Sequence, residues 1–281
     1  MKKIAILIRE NFDDYRIKRL NEEIINFKNV NILEAIKILR YPFEETDILN
    51  YDVYYFFVGM SFLLDRYLLA KYLEENGKII VNRINSKVQI LYKSYFYNLL
   101  YRYIKIPKFI KIYTVKNIEK VIEKIGFPMV IKHQFMHRGE FVYKISDKNE
   151  LYNFLKSYLL NGGRMPHLIF QQFIPYEKDI RIIFIGEPFG AMERINERSF
   201  KANISQGGYG KEYKLDDELI ELSYKISKKT DMQIFAFDVL LKDGEYYLID
   251  IHDIFQFEGF EKHIRKNVMR KIIEFLNEVR N

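Results

Sequence analysis

The sequence predicts an α/β chain of three units, each built of strands and helices around its own sheet. Three observations carry this. Through roughly residues 1 to 85, apolar strand-like runs alternate with helical patterns, as in a small parallel sheet. A shorter α+β set follows over roughly 86 to 167. From 168 to 281, two pairs of apolar runs flank turn compositions, with a polar stretch and a helix between them, which predicts a mixed-sheet unit.

KIAILI and YDVYYFFVG read as buried strands of the first unit, and KIIVN as a third. RIKRLNEEIINF and DRYLLAKYLEENG are helical, the latter stopped by Gly77. In the second unit KVQILYKSYFYNLLYRY reads as a helix with Pro107 in the linker after it. NIEKVIEKIG is an amphipathic helix ending at Gly126; FPMVIKH and GEFVYKI are strands, and ELYNFLKSYLL is a helix before the break NGGRMP. In the third unit LIFQQFI is a strand, and IRIIFI and FGAMERI flank the turn Gly186-Glu187-Pro188. DELIELSYKISKKT is a helix, FAFDVLL and YYLIDIH flank Asp243-Gly244, the strongest short hairpin signal, and a basic helix ends the chain.

Composition narrows the function classes. A hydrophobic content of 48% with 30% charged residues indicates a soluble globular protein, and no stretch approaches the apolar length that spans a bilayer. MKKIAILIREN reads as a first strand, since Arg9 and Glu10 end its short apolar run, and the expected location is cytoplasmic. The absence of cysteine excludes disulfides and thiolate chemistry, leaving carboxylate, imidazole or amide ligands for any metal. The net charge of +7 is spread among interspersed acids and bases, so nucleic acid is not the expected partner.

YLIDIHDIFQFEGFE, residues 247–261, raises the chemical question. Asp250 and His252 sit one residue apart in an apolar run, hence on one face of a strand. A strict two-residue loop at Asp243-Gly244 sets Asp238 opposite Ile249. One extra loop residue, with Gly244 as a left-handed bulge, sets Asp238 opposite Asp250. Two carboxylates that close repel unless a cation lies between them. The alternative is that Asp238 caps a loop and Asp250 pairs with a lysine. A hard cation such as magnesium takes one or two carboxylates plus phosphate oxygens and waters, which implies a phosphorylated ligand.

At these residues the chain resembles a known family. LIDIHDIFQFEGFE is similar, without a gap, to apolar-Glu-Val-Asn-Ser-x-Pro-Gly-Phe-Glu-Gly-Phe-Glu, the C-terminal strand of the RimK-like ligases in the ATP-grasp superfamily. NRINSKVQILYK, FPMVIK, IFQQFI, KDIRIIFI, GAMERI and FKANISQGG resemble further family segments in order, so the likeness runs from about 80 to 265. It implies an ATP-grasp fold, with an N-terminal domain at 1–85, a central subdomain at 86–167 and a C-terminal subdomain at 168–281, ATP lying between the last two.

The resemblance implies an ATP-dependent ligase that joins an amino acid, often glutamate, to a carboxylate on a protein or small molecule through an acyl phosphate. It implies Lys93 and Lys132 at the phosphates, with Gly139 retained from the phosphate loop and Arg138 beside it as a compensating cation, and Gln172, Phe173 and Ile174 at adenine, with backbone groups making the main bonds. Asp179 would face the ribose, and Lys201 and Asn203 would lie near the phosphates. Asp238, Asp250 and His252 take the positions of the metal ligands, for magnesium or manganese. Arg194 is the first choice for clamping the acyl phosphate and incoming carboxylate, and Arg181 the second. The acceptor is expected near Arg9, Asn11 and Met60, and homo-oligomers are frequent among such ligases. Plain alternatives stand beside these roles: Arg181 and Arg194 as ordinary sheet-face ion pairs, and Lys93 as a helix-surface lysine.

Several positions depart from the family pattern. MHRGEFV stands where the phosphate loop has Gly-Ser/Thr-Gln-Gly-x-Gly-Val, retaining only Gly139, with His137 and Arg138 as added cations. Asp250 stands for glutamate, His252 for asparagine, and Tyr92 for the aspartate before Lys93; Asp-Ile-Phe-Gln replaces Ser-x-Pro-Gly. Imidazole suits manganese or zinc better than magnesium. These departures sustain a second reading, a nucleotide-binding module of the same fold without turnover.

Overall fold

The computed structural model describes residues 1–10, 14–38, 47–58, 63–83, 93–136, 141–196 and 208–280. The first unit carries β1 (Ile4–Ile8), α1 (Tyr15–Ile24), β2 (Val30–Glu34), α2 (Ala35–Ile38), β3 (Val53–Val58), α3 (Leu63–Glu75) and β4 (Ile79–Val81). Its strands lie in the order β2-β1-β3-β4, all paired in parallel. β1 is buried at every position, so it reads as a continuous apolar run without alternation. Asp14 caps α1 by accepting from the Arg16 amide at 2.8 Å, and Gly77 adopts φ 72° after α3. β2 is not singled out by sequence: VNILE is an edge strand with only Val30 buried, and its polar Asn31 and Glu34 hide the pattern.

The middle of the chain carries α4 (Lys93–Leu100), β5 (Phe109–Ile110), α5 (Ile118–Ile125), β6 (Met129–His133), β7 (Val142–Ile145), α6 (Lys148–Leu160) and β8 (Leu168–Gln172). Its sheet has the order β5-β8-β6-β7 with antiparallel pairings. A boundary at 168 is therefore corrected. β8 pairs with β5 and β6 and completes the central sheet, a long-range pairing that no local signal announces. Asp147 caps α6 through the Glu150 amide at 2.9 Å, and Glu150 reaches back to the Ser146 amide at 2.7 Å.

The last unit carries β9 (Lys178–Ile185), β10 (Glu187–Ile195), β11 (Tyr209–Tyr213), α7 (Asp217–Thr230), β12 (Ile234–Lys242), β13 (Glu245–His252), α8 (Glu258–Ile264) and α9 (Val268–Glu278). Its sheet, β11-β10-β9-β12-β13, is antiparallel in all four pairings rather than mixed. The single terminal helix expected from sequence is two, separated where Arg265 turns left-handed at φ 58°.

The two faces of this sheet decide where the site lies. On one, Ile180, Ile182, Phe184 and Phe237 pack against Phe96 and Leu100 of α4 and Leu219 and Ile226 of α7. The other face is divided. At one end Ile183, Ile185, Ile234 and Ala236 share a core with Ile4, Ile6 and Tyr55 of the first sheet and with α8 and α9. The remaining end of that face is polar. The central sheet keeps its own core, with Val121, Met129, Ile131, Leu155 and Phe170.

Candidate active site

Alternation along four neighbouring strands builds the polar end of this face. Asp238 pairs in register with Arg181 and with Asp250, and Arg194 with Asp179; directly opposed residues project to one side of the sheet. Asp179, Arg181, Arg194, Asp238, Asp250 and His252 therefore meet.

The pairing of Asp238 with Asp250 is the expected one, but its cause is different. The loop at Asp243-Gly244 is a strict two-residue turn between paired Lys242 and Glu245, with φ of 51° and 76° as a type I′ turn requires. The extra residue lies in the strand instead. The register shifts between Asp238 and Val239, which pairs with Leu248, leaving Ile249 as the bulged residue. Its carbonyl turns toward the neighbouring elements, accepting from the Tyr97 hydroxyl at 2.6 Å and from Lys132 Nζ at 3.3 Å. Thus α4 and the central sheet both reach β13 at the bulge.

The charges are paired closely. Arg181 holds Asp238 through Nε at 2.8 Å and Nη2 at 2.9 Å, a two-pronged fit of guanidinium to carboxylate. Arg194 donates through Nε to Asp179 at 2.8 Å, again through Nη2, and its Nη1 lies 3.1 Å from Asp238. Lys93 Nζ bonds both oxygens of Asp250, at 2.7 and 2.6 Å. His252 Nε2 lies 3.5 Å from Asp238 and 3.6 Å from Asp250.

Burial and charge compete at each group. Burial alone would raise Asp238, yet Arg181 and Arg194 outweigh it and hold the carboxyl well below the usual range. At Asp250 burial is likewise overcome, by Lys93, His252 and Lys132. At Asp179 burial prevails and the carboxyl is raised despite Arg194. Burial pushes Lys132 down to about 8 against the pull of Asp250.

The nucleotide-contact residues expected from sequence divide. Lys93 and Lys132 are at the site. Gln172 is not turned toward it: it pairs with Met129, on the face covered by α5 and α6, and its backbone N–H donates to the Lys108 carbonyl at 2.8 Å. Gln171, paired with Val130, shares the opposite face with Lys132 and is 2% exposed. Period-two alternation along LIFQQ carried that signal, because Phe170 belongs to the core. Phe173 lies under Lys144, whose Nζ is 4.2 Å from the ring centre, and Ile174 is buried. Tyr97 was also missed, although it stands one helical turn after Lys93 on α4. Arg138, Gly139, Lys201, Asn203, Asn11 and Met60 lie outside the described residues.

Asp250 and His252 fit a divalent cation in part: they set a carboxylate and an imidazole nitrogen on one face, with one lysine, Lys93, on both oxygens of Asp250. Asp238 does not fit as a third ligand, since guanidiniums bind both its oxygens. Among the described residues no group of three or more His, Asp or Glu side chains is arranged to hold a metal, so the three-residue set expected from sequence is not assembled as such.

Comparison with known proteins adds the following. A family model described as the RimK-like ATP-grasp domain matches residues 81–276. An alpha-aminoadipate–LysW ligase LysX of Sulfolobus acidocaldarius is 32% identical over 208 residues, 72% of this chain and 68% of that protein. The coenzyme gamma-F420-2:alpha-L-glutamate ligase of Methanocaldococcus jannaschii is 30% identical over 181 residues, 62% of this chain; the match spans 60% of that relative's own length, less than two thirds. The crystal structure of a RimK domain ATP-grasp protein from Sphaerobacter thermophilus superposes with a TM-score of 0.71 at 16% identity, covering 97% of this chain and 99% of that one.

Proposed function

The chain belongs to the RimK-like ATP-grasp family, and from that premise we propose that it is an ATP-dependent carboxylate–amine ligase. It joins an amino acid such as glutamate to a carboxylate on a small molecule or a protein. The observation that carries the reading is the meeting of two sheets at one charged site: Lys132 of β6 reaches the Ile249 carbonyl of β13 at 3.3 Å, beside Asp250 and Lys93.

In this reading the acceptor carboxylate oxygen attacks the γ-phosphorus, the bond to the bridging oxygen breaks, and ADP leaves. The amine nitrogen then attacks the acyl carbon, phosphate departs, and the nitrogen loses a proton. Positioning and charge neutralisation are the protein's part. Lys93 and Lys132 bind phosphate oxygens, and Gln171 faces the nucleotide from β8 while backbone groups of Phe173 and Ile174 serve adenine. Arg181 clamps the acyl phosphate. Its Nη1 is not engaged by a described residue, whereas Arg194 commits Nε, Nη1 and Nη2 to two aspartates. This reverses the order of the two arginines expected from sequence. Arg194 holds Asp179 and Asp238 in place and so acts as a positioning residue. Asp250 and His252 would hold magnesium or manganese, which supplies further charge neutralisation on the phosphates when bound. The acceptor enters from the first unit, near Arg9 at the carboxyl end of β1.

One observation favours a second reading, a nucleotide-binding module without turnover: every acidic group of the site already has a protein cation beside it. Calorimetric titration with ATP, followed by an ADP-release assay over paired carboxylates and amino acids, separates the two. The ligase reading expects ATP binding that weakens about tenfold or more in Lys132→Ala, and ADP release only with a matched pair. Absence of ATP binding would remove both readings. Binding without release across a broad panel would leave the second.

A further inference from the structure

The acidic residues of the site differ in how firmly their cations are held. Asp238 faces two guanidiniums carried on β9 and β10, strands of its own antiparallel sheet. Those forks are planar, permanently charged and fixed by register, so Arg181 can offer Nη1 to a ligand while its Nε and Nη2 stay on Asp238. The ammonium hydrogen-bonded to Asp250 sits on a flexible four-carbon stem, while Lys132 and His252 act on that carboxylate from further away. Lys93 is carried on α4, outside the sheet, and its Nζ bonds both Asp250 oxygens. The Lys93 side chain is 9% exposed and that of Asp250 is 22% exposed, so the pair lies at the edge of the polar site. An ammonium is a compact point charge that can change partners by rotating its stem.

We infer that Lys93 is a built-in counter-ion that keeps divalent metal off Asp250 until a polyphosphate draws its ammonium away. With both oxygens of Asp250 engaged, a metal approaching the nucleotide-free protein meets a carboxylate already neutralised and a positive charge less than 3 Å away. Removing a cation at that distance strengthens the attraction of the carboxylate for metal. A triphosphate offers Lys93 several anionic oxygens in place of one carboxylate, and Asp250, with His252 on the same face, is released. Asp238 stays with its arginines throughout. Metal and nucleotide therefore bind with positive coupling, since each binds better once Lys93 has moved. The inference rests on the ligase reading for its nucleotide, while its metal-only arm stands apart from it.

Manganese titration of the nucleotide-free protein, read as loss of the free-ion electron paramagnetic resonance signal, tests the metal-only arm. The same titration with a non-hydrolysable ATP analogue tests the coupling. Wild type is expected to show no site at micromolar manganese without nucleotide. Lys93→Ala and Lys93→Gln are expected to gain one, about tenfold or more tighter than wild type. Lys93→Arg keeps a cation in place and stays blocked, and Lys93→Gln/Asp250→Asn loses the gained site. A wild-type site of equal strength without nucleotide would overturn the inference. So would a failure of both neutral variants, each shown folded by thermal melting, to gain one. Failure of wild type to bind the ATP analogue strikes the ligase reading instead, and leaves the neutral variants to decide the metal arm.

Discussion

At the scale of single residues, Lys132 sets how the site responds to pH. Burial holds its ammonium down to about 8, well under the ordinary lysine value of 10.5. The sign follows from linkage. Below about pH 8 both folded and unfolded chains carry the proton, and the cost of burying it is fully present. Between about 8 and 10.5 the folded protein has released a proton that the unfolded chain retains, so this group makes stability rise with pH across that window. In the proposed ligase reading Lys132 binds phosphate, and it does so in its charged form. ATP affinity is therefore expected to fall as pH rises through about 8, and to be nearly flat from pH 7 to 9 in Lys132→Ala. Calorimetry at several pH values decides it; an unchanged slope in the variant would place the titrating group elsewhere. The identity of Lys132 as a special lysine was legible from the apolar strand it closes. Its neighbour on β13, the Ile249 carbonyl, was not, because Leu248, Ile249 and Ile251 are all apolar and hide the slip in alternation between buried Leu248 and Ile251.

At the scale of elements, the turn between β9 and β10 shows what a glycine secures. Gly186 adopts φ 70°, and a Cβ built on it would lie 2.4 Å from the Phe275 ring of α9. Both the backbone conformation and the close approach exclude a side chain. Gly186→Ala is expected to destabilise the protein by about 2–3 kcal/mol through overpacking and a strained φ, measured as a shift in denaturant midpoint. A cost under about 0.5 kcal/mol would show that Phe275 moves aside freely. Gly244, also left-handed at φ 76°, meets nothing within 4 Å, so only backbone strain applies there. The sequence marks both as turns by composition, but cannot say which of them packs. That depends on α9, which lies 82 residues or more further along the chain.

At the scale of the whole molecule, the first and last units share a core, whereas the central sheet keeps its own and meets the last unit through α4 and Lys132. Strands β1 and β3 share one core with β9, β12, α8 and α9, whereas the central sheet packs on its own helices. Glu261 of α8 fastens the first of these contacts. Its carboxylate accepts from the Tyr15 hydroxyl at 2.7 Å, from Arg19 Nε at 3.0 Å and from the Val268 amide at 2.7 Å. Glu261→Ala leaves these donors without their acceptor and is expected to cost about 2 kcal/mol. It should lower protection against hydrogen exchange in α1 and α9 together, with the central sheet unchanged. Loss of protection in α1 alone would count against a shared unit. The same glutamate closes the EGFE segment that made the family legible, so one residue serves both a recognisable motif and the joining of distant units.

By itself the sequence determined the fold family, the order of nearly all helices and strands, and the residue types gathered at the site. These follow from local periodicity, turn chemistry and motif spacing. Tertiary structure alone decided that β8 belongs to the central sheet, that Gln171 and not Gln172 shares the sheet face of Lys132, and that Asp238 and Asp250 are matched by Arg181, Arg194 and Lys93. The reason is physical: side-chain partners are chosen by pairing register and by burial, and both are set between segments far apart in the chain.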